Sequence, residues 1–393
     1  MQKKENDYLY FLNILNQIYE RTGGKLVARV AFEKVGKMIN DWYGFIRQHN
    51  IEQATKMKKE IQDTLPNMKE NQNVLLYFNL IDSRFKLMVQ DYTESGNLLN
   101  HIKSNGLESC TDDMIQYYFY FFSGLYEFYK KRFTKAINLY RIAESRLHKI
   151  PDEIEKAEFN YQVAIAYYEI RQNFFSLSHA EKAYDSFKAH EDYTNRVIKS
   201  KMLFAMNKVD LQQWDEAKNL YKDAIIMASK VQDRDTEALG HYNLGLCLER
   251  QQLLQEAKDC FKNALTLIDP QKFIHLAIRS IYMLSRVFYK TGSIEGARDW
   301  WNKALSLAEK VDEDVYKAKL NIIYFIYDKS DSASLDLNMN VLKEKNLWSD
   351  VADLSINAAL YFKKQENTDL SSKYFEEACK AKDEIIKITE ALE

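Results

Sequence analysis

The sequence predicts an all-α protein, with a helical bundle on its N-terminal side followed by a superhelix of repeated helical hairpins. Three observations predict it. Only three prolines and 11 glycines punctuate 393 residues, too few for a chain built of strands and tight turns. The aromatic residues, 13% of the chain, fall mostly at helical spacing, which suits many small helix-packing layers. One pattern of small and aromatic residues also recurs at a fixed period along most of the chain.

Residues 1–25 are expected to form a separate short helix ending at Gly23-Gly24. Its apolar run "YLYFLNIL" is far below the ~18 residues a bilayer span requires, contains Asn13, and lacks a cleavage-site pattern. The following "RTGGKL" lacks the spacing of a phosphate loop and reads as a helix C-cap. A bundle is expected over 26–105, with helices near 27–49, 51–65 and 67–93 separated by "QHN" and Pro66. In the third, Val74, Phe78, Ile81, Phe85 and Met88 follow 4-3-4-3 spacing and form the buried seam. Gln72 lies off that seam. Its own stripe runs through Leu76, Asn79 and Ser83 and is predicted to face outward. A loop around "SNGLESCTDD" closes the bundle.

From 112 to 393 the chain reads as repeats. In "HYNLGLCLERQQLLQEAKDCFKNALTLIDP", Leu244-Gly245, Ala257, Phe261 and Ala264 match the offsets of a tetratricopeptide repeat. Small residues at Gly245 and Ala257 let two antiparallel helices approach, with Phe261 and Ala264 expected to pack the next repeat. The frame recurs at Gly124/Ala136/Tyr140/Ala143, Ala164/Ser176/Ala180/Ala183, Ala205/Ala217/Tyr221/Ala224, Ser285/Ala297/Trp301/Ala304 and Ala359/Ser371/Phe375/Ala378. Anchors Ala136, Ser176, Ala217, Ala257 and Ala297 are 40, 41, 40 and 40 residues apart, longer than the usual period of about 34, so longer helices are expected. A degenerate pair with "KSDSASLD" as its loop fills 315–345. The prediction is a right-handed tetratricopeptide-repeat superhelix of about seven hairpins, with a polar last helix as cap.

Composition then limits function. A net charge of -2 offers no global field to nucleic acid or acidic lipid. Residues 1–100 carry 14 Lys/Arg against 12 Asp/Glu, a net of +2, without a dense basic block. Cys110, Cys247, Cys260 and Cys379 are scattered and read as reduced cysteines of a cytoplasmic protein, neither a disulfide frame nor a zinc site. The seven histidines are dispersed and no H-E-x-x-H or G-x-S-x-G occurs. No metal site and no resident cofactor are expected. Any catalysis must borrow its electrophile and metal from a partner.

The segments "VGKMINDWYGFIR", "NQNVLLYFNLIDSRFKLM", "YYFYFFSGLYEF", "KAEFNYQVAIAYYEIRQNFFS", "LFAMNKVDLQQWDEAK" and "HYNLGLCLE" resemble the Rap proteins of Gram-positive bacilli over roughly residues 30–390. The resemblance implies a quorum-sensing regulator that binds a response regulator through the bundle and a short signalling peptide through the repeats. Gln72 matches the glutamine that phosphatase-type members insert into the regulator's active site, where a neutral amide can orient water on an aspartyl phosphate. Asn71, Asn73, Leu75 and Leu76 are the accompanying regulator contacts. The two asparagines stand where the family pattern is usually acidic. The regulator would supply its own Mg²⁺. For the peptide, Asn243 matches the backbone clamp and Asp210, 33 residues earlier, the acidic partner of a basic peptide residue, with Asn207 one turn away. The alternative is a non-catalytic member that sequesters a DNA-binding regulator and is released by peptide. A helix-turn-helix transcription factor ranks low, because residues 1–100 lack a recognition helix and a basic stripe.

Overall fold

The computed structural model describes residues 29–48, 50–104, 112–270, 273–311 and 313–390. The helix expected over 1–25, most of the loop around 104–113, and Cys110 lie outside the described residues. Among those described are 18 α-helices, with strand geometry limited to one bridge, Val30 with Met68. Among them, too, no helix is long and apolar enough to cross a membrane. Two compact units form, Met1–Pro151 and Asp152–Glu393.

In the first unit, α1 (Phe32–Arg47) buries Val35, Ile39, Trp42, Tyr43 and Ile46 on one stripe. Helix α2 (Ile51–Thr64) contributes only Ala54 and Ile61. The third helix, α3 (Gln72–Met88), packs its Phe78 and Phe85 against Trp42 at 5.5 and 5.8 Å between ring centres. The expected third helix stops early and a fourth follows. Gln90 turns left-handed at φ 64°, and the Asp91 carboxylate accepts from the Glu94 N–H at the start of α4 (Tyr92–Ser104).

The aromatic run of α5 (Asp113–Tyr129) buries Tyr117, Tyr118, Phe119, Phe121 and Phe122. Tyr118 meets Tyr43 and Tyr77 at 5.7 and 5.4 Å. Helix α6 (Phe133–Leu147) completes the first hairpin. Pattern alone divides bundle from repeats near 105–112, yet α5 packs against α3 and α4, and α5 and α6 both fall in the first compact unit.

The second unit stacks six hairpins. They are α7 (Glu153–Glu169) with α8 (Asn173–Lys188), α9 (Thr194–Asp210) with α10 (Trp214–Lys230), and α11 (Arg234–Arg250) with α12 (Leu254–Leu267). Then follow α13 (Ile274–Lys290) with α14 (Ile294–Lys310), α15 (Asp314–Tyr324) with α16 (Ser332–Glu344), and α17 (Trp348–Lys364) with α18 (Thr368–Glu390).

The frame residues close these pairs. Ala136, Ser176, Ala217, Ala257 and Ala297 are all fully buried. A Cβ on Gly245 would stand 2.6 Å from the Phe261 ring, so Phe261 fills the space left by glycine in its own hairpin. At the Gly245 place Ser285 donates to the Ala297 carbonyl, 2.9 Å, and at the Ala257 place Ser371 donates to the Ala359 carbonyl, 3.0 Å. In the last hairpin the buried aromatic is Tyr374, while Phe375 is exposed. The loop of the degenerate pair is shorter than "KSDSASLD": after one π turn, Phe325–Lys329, Asp331 caps α16 by accepting from Ala333 and Ser334.

Each first helix ends on a left-handed residue, Lys131, Arg171, Gln212, Gln252, Gly292, Ser330 after the π turn, and Glu366. The N–H that follows folds back onto the helix, as Gln213 does onto Lys208 at 2.8 Å.

Candidate functional site

Two regions collect the residues of interest, one in each unit. In the first, the chain entering α3 is pinned before the helix begins. The Val30 N–H donates to Asn67 and the Lys69 N–H to Val30, at 2.8 and 2.9 Å. Asn71 is the N-cap, its side chain accepting from the Val74 N–H at 3.1 Å. That bond leaves Gln72 as the first helical residue, with Gln72 and Asn73 exposed and Asn71, Val74 and Leu75 half-buried. Beside them runs a groove of about 370 Å³ lined by Gly36, Asn40, Asn73, Tyr77 and Ile115 among others. Tyr77 donates to Asn40 across it at 2.8 Å.

The outward stripe expected to continue from Gln72 does not exist beyond the first turn. Leu76 is 4% exposed, and Ser83 is buried against Ser95, the two hydroxyls 2.9 Å apart. Helix α3 packs against α1, α4 and α5, which leaves only its N-terminal end open. Leu76 is therefore a core residue, not a surface contact. An exposed amide here can donate and accept at once, but it is no nucleophile. Among the described residues no His, Cys, Asp or Glu cluster could hold a metal ion.

The second region is a cleft of about 220 Å³ walled by the first helices of successive hairpins. Tyr168, Tyr242, Tyr282 and Tyr316 line it with Asn243, whose side chain is almost wholly enclosed. Burial pushes Tyr168 up to about 12, so it stays a neutral phenol. Ion pairs run from helix to helix. Asp210 at the end of α9 is held by Arg171 and, at 2.7 Å, by Arg250. Glu249 is paired with Arg286 at 3.2 Å and with Lys290. Arg286 also donates to both oxygens of Asp353, at 2.6 and 3.3 Å. Lys319 pairs with Asp350 at 2.7 Å. Burial alone would raise Asp353, but Arg286 outweighs it and holds the carboxyl down at about 2.

Two sequence expectations change here. Asn207 is fully buried: its amide donates to the Ser176 hydroxyl and the Leu203 carbonyl, both at 2.9 Å. It pins α9 to α8 and does not face the cleft. Asp210 is the centre of an ion-pair triad and stands behind Arg171 and Arg250, which line the cleft where Asp210 does not. Sequence reasoning passed over both arginines. The signal was present, since Arg171, Asp210 and Arg250 lie 39 and 40 residues apart, one repeat period.

Bundle and repeats together define a tetratricopeptide-repeat protein fronted by a helical bundle. Residues 29–90 match the family model described as response regulator aspartate phosphatase H, N terminal. Response regulator aspartate phosphatase I of Bacillus subtilis (strain 168) is 30% identical over 365 residues, covering 91% of this chain and 93% of that protein. Regulatory protein RapC of the same organism is 31% identical over 363 residues, covering 89% and 94%. A crystal structure of a Rap protein complexed with competence and sporulation factor superposes with a TM-score of 0.83 at 29% identity, covering 91% and 99%. The chain belongs to the Rap family.

Proposed function

We propose that this protein is a cytoplasmic response regulator aspartate phosphatase, restrained by a short signalling peptide bound in the repeat cleft. The observation that carries the reading is the exposed amide of Gln72. It stands at the open end of α3, inside the residues that match the phosphatase N-terminal model. An aspartyl phosphate is an activated anhydride. Water attacks phosphorus, the bond from phosphorus to the carboxyl oxygen breaks, the aspartate leaves as carboxylate, and the water's proton passes to phosphate or solvent. Gln72 accepts a hydrogen bond from that water and aims it, as a glutamine does in GTPases. A carboxylate at this place would repel the phosphoryl oxygens. The regulator brings the phosphoryl group and the Mg²⁺ that neutralises it. Asn71 holds the helix end in place, while Asn73 and Leu75 face the partner.

For the peptide, the cleft offers tyrosine walls and the Asn243 amide, suited to an extended backbone. A peptide preferring one arrangement of the stacked hairpins shifts the population toward it and withdraws the docking face.

The test measures phosphate release from phosphorylated response regulators, with Gln72→Ala beside wild type. Loss of release with retained regulator binding is expected. Unchanged release by the variant would remove Gln72 from the reaction. Binding of a regulator by wild type without any effect on its phosphate would select sequestration instead.

A further inference from the structure

One hairpin departs from the pattern that stiffens the others. From Glu153 to Asp314 the first helices begin 40 or 41 residues apart, and Trp348 then follows after only 34. The short pair is α15 and α16, of 11 and 13 residues. On α16 the buried stripe is Leu335, Met339 and Leu342, at the spacing that Ala257, Phe261 and Ala264 keep on α12. One period after Ser285 stands Phe325. The small residues that draw the other pairs together are absent, and a flexible methionine replaces the aromatic.

At the end of α15 the chain makes the π turn Phe325–Lys329, the only one among the described residues. Turns of this kind gather at functional sites. It is fastened firmly on one side. The Asp328 carboxylate accepts from Nε and Nη2 of Arg298 at 2.6 and 2.7 Å and from the Tyr289 hydroxyl at 3.2 Å, which binds the turn to the preceding hairpin. Toward the following hairpin it offers only the Tyr327 ring, edge to face with Tyr361 at 5.1 Å, and a long hydroxyl contact of 3.4 Å from Ser330 to Tyr361.

Past this joint α17 brings Ser349, Asp350, Asp353 and Leu354 to the cleft. Two ion pairs hold it there, Arg286 with Asp353 at 2.6 Å and Lys319 with Asp350 at 2.7 Å. The first reaches over a whole hairpin, from α13 to α17. In both the cation is covered, 7% and 10% exposed, while the carboxylate on α17 is 50% and 37% exposed. Parting them returns the carboxylates to water, so pairs this exposed hold weakly. Neither cation would be stranded. Arg286 keeps Glu249 at 3.2 Å, and Lys319 keeps the Tyr316 ring, its nitrogen 4.8 Å from the centre.

We propose that α17 and α18 form a lid, hinged at the π turn, that opens and closes one side of the cleft, with Arg286–Asp353 and Lys319–Asp350 as its latch. The motion belongs to the chain alone, so it is measured without a ligand. Spin labels on full-length protein read it. One pair spans the joint, Gln255→Cys on α12 with the exposed Cys379 on α18. A control pair lies before it, Lys222→Cys on α10 with Asn302→Cys on α14. The remaining cysteines are replaced by alanine.

Raising salt from 0.01 to 1 M shortens the screening length from about 30 to 3 Å. That should lengthen the first distance by about 5 Å, the scale of such shifts between packed elements, and leave the control unchanged. Asp350→Asn with Asp353→Asn should do the same at low salt. In that variant amide exchange should rise at 325–331 and not at 291–293. Thermal melts check its fold, and the salt arm keeps the latch residues unaltered. A first distance fixed in both arms would overturn the proposal. An equal change in the control pair would overturn it too, because the array would then breathe as a whole. Exchange that rises elsewhere and not at 325–331 would remove the hinge from the π turn.

Discussion

Replacing Gly245 by alanine tests whether the repeat frame works through steric approach. In a helix interior the change should gain about 1 kcal/mol of stability, because alanine loses less backbone freedom on folding. Here the new methyl would stand 2.6 Å from Cε1 of Phe261 and 2.9 Å from Cδ1 and Cζ. Overpacking a filled core of this kind costs about 1–3 kcal/mol, so the net effect should be a loss of about 1 kcal/mol. In a Phe261→Leu background the side chain no longer has Cε1 or Cζ. Gly245→Ala should then become neutral or stabilising, a coupling of about 1–2 kcal/mol between the two sites. Urea denaturation of the four proteins, compared by midpoint at unchanged slope, reads this directly. If Gly245→Ala stabilised both backgrounds equally, Phe261 would not be what demands a glycine, and the steric account of the frame would fail.

Further outcomes follow from single contacts. His179 is buried and hydrogen-bonded to Asn160 at 2.8 Å, and burial, aided by Lys182, lowers its pKa to about 4. Its contribution is therefore full above the unfolded value of about 6.5 and is lost as pH falls toward 4, roughly 3 kcal/mol in all. A His179→Gln variant should flatten the loss of stability between pH 6.5 and 4. Leu76→Ala should cost about 2–5 kcal/mol of stability, whereas Gln72→Ala at an exposed position should change it by no more than about 0.5 kcal/mol. Equal melting temperatures for these two variants would contradict the burial of Leu76. Asn207→Ala should lower stability by about 1–2 kcal/mol through its two lost bonds and leave peptide affinity unchanged when measured well below the melting temperature. A selective loss of affinity would restore Asn207 to the cleft.

The repeats were legible because close helix approach needs small side chains, and small residues at a fixed period leave a record that composition cannot hide. That record blurs in the last hairpin, where two aromatics are adjacent and only packing selects Tyr374 over Phe375. Helix α4 was missed because Gln90 makes its break, a left-handed residue with no glycine or proline to announce it. The exposure of Gln72 followed from helical phase, but phase cannot say how many neighbours surround a helix. The burial of Leu76 and Ser83 on the same stripe needed the three packing partners of α3. Asp210 was found in sequence as an acid in the right register. Its occupation by arginines one repeat away on either side is a long-range fact, readable only when the repeats are laid over one another and their charges compared.

The bridge between Val30 and Met68 has a practical side. Two backbone hydrogen bonds fasten the chain at Val30 to the strand-like stretch that leads into α3. From Met68 to Gln72 is four residues, a reach of at most about 14 Å. A spin label at Arg29 would therefore sit close to the start of α3, where the Gln72 amide is exposed, and its mobility would report contacts made there.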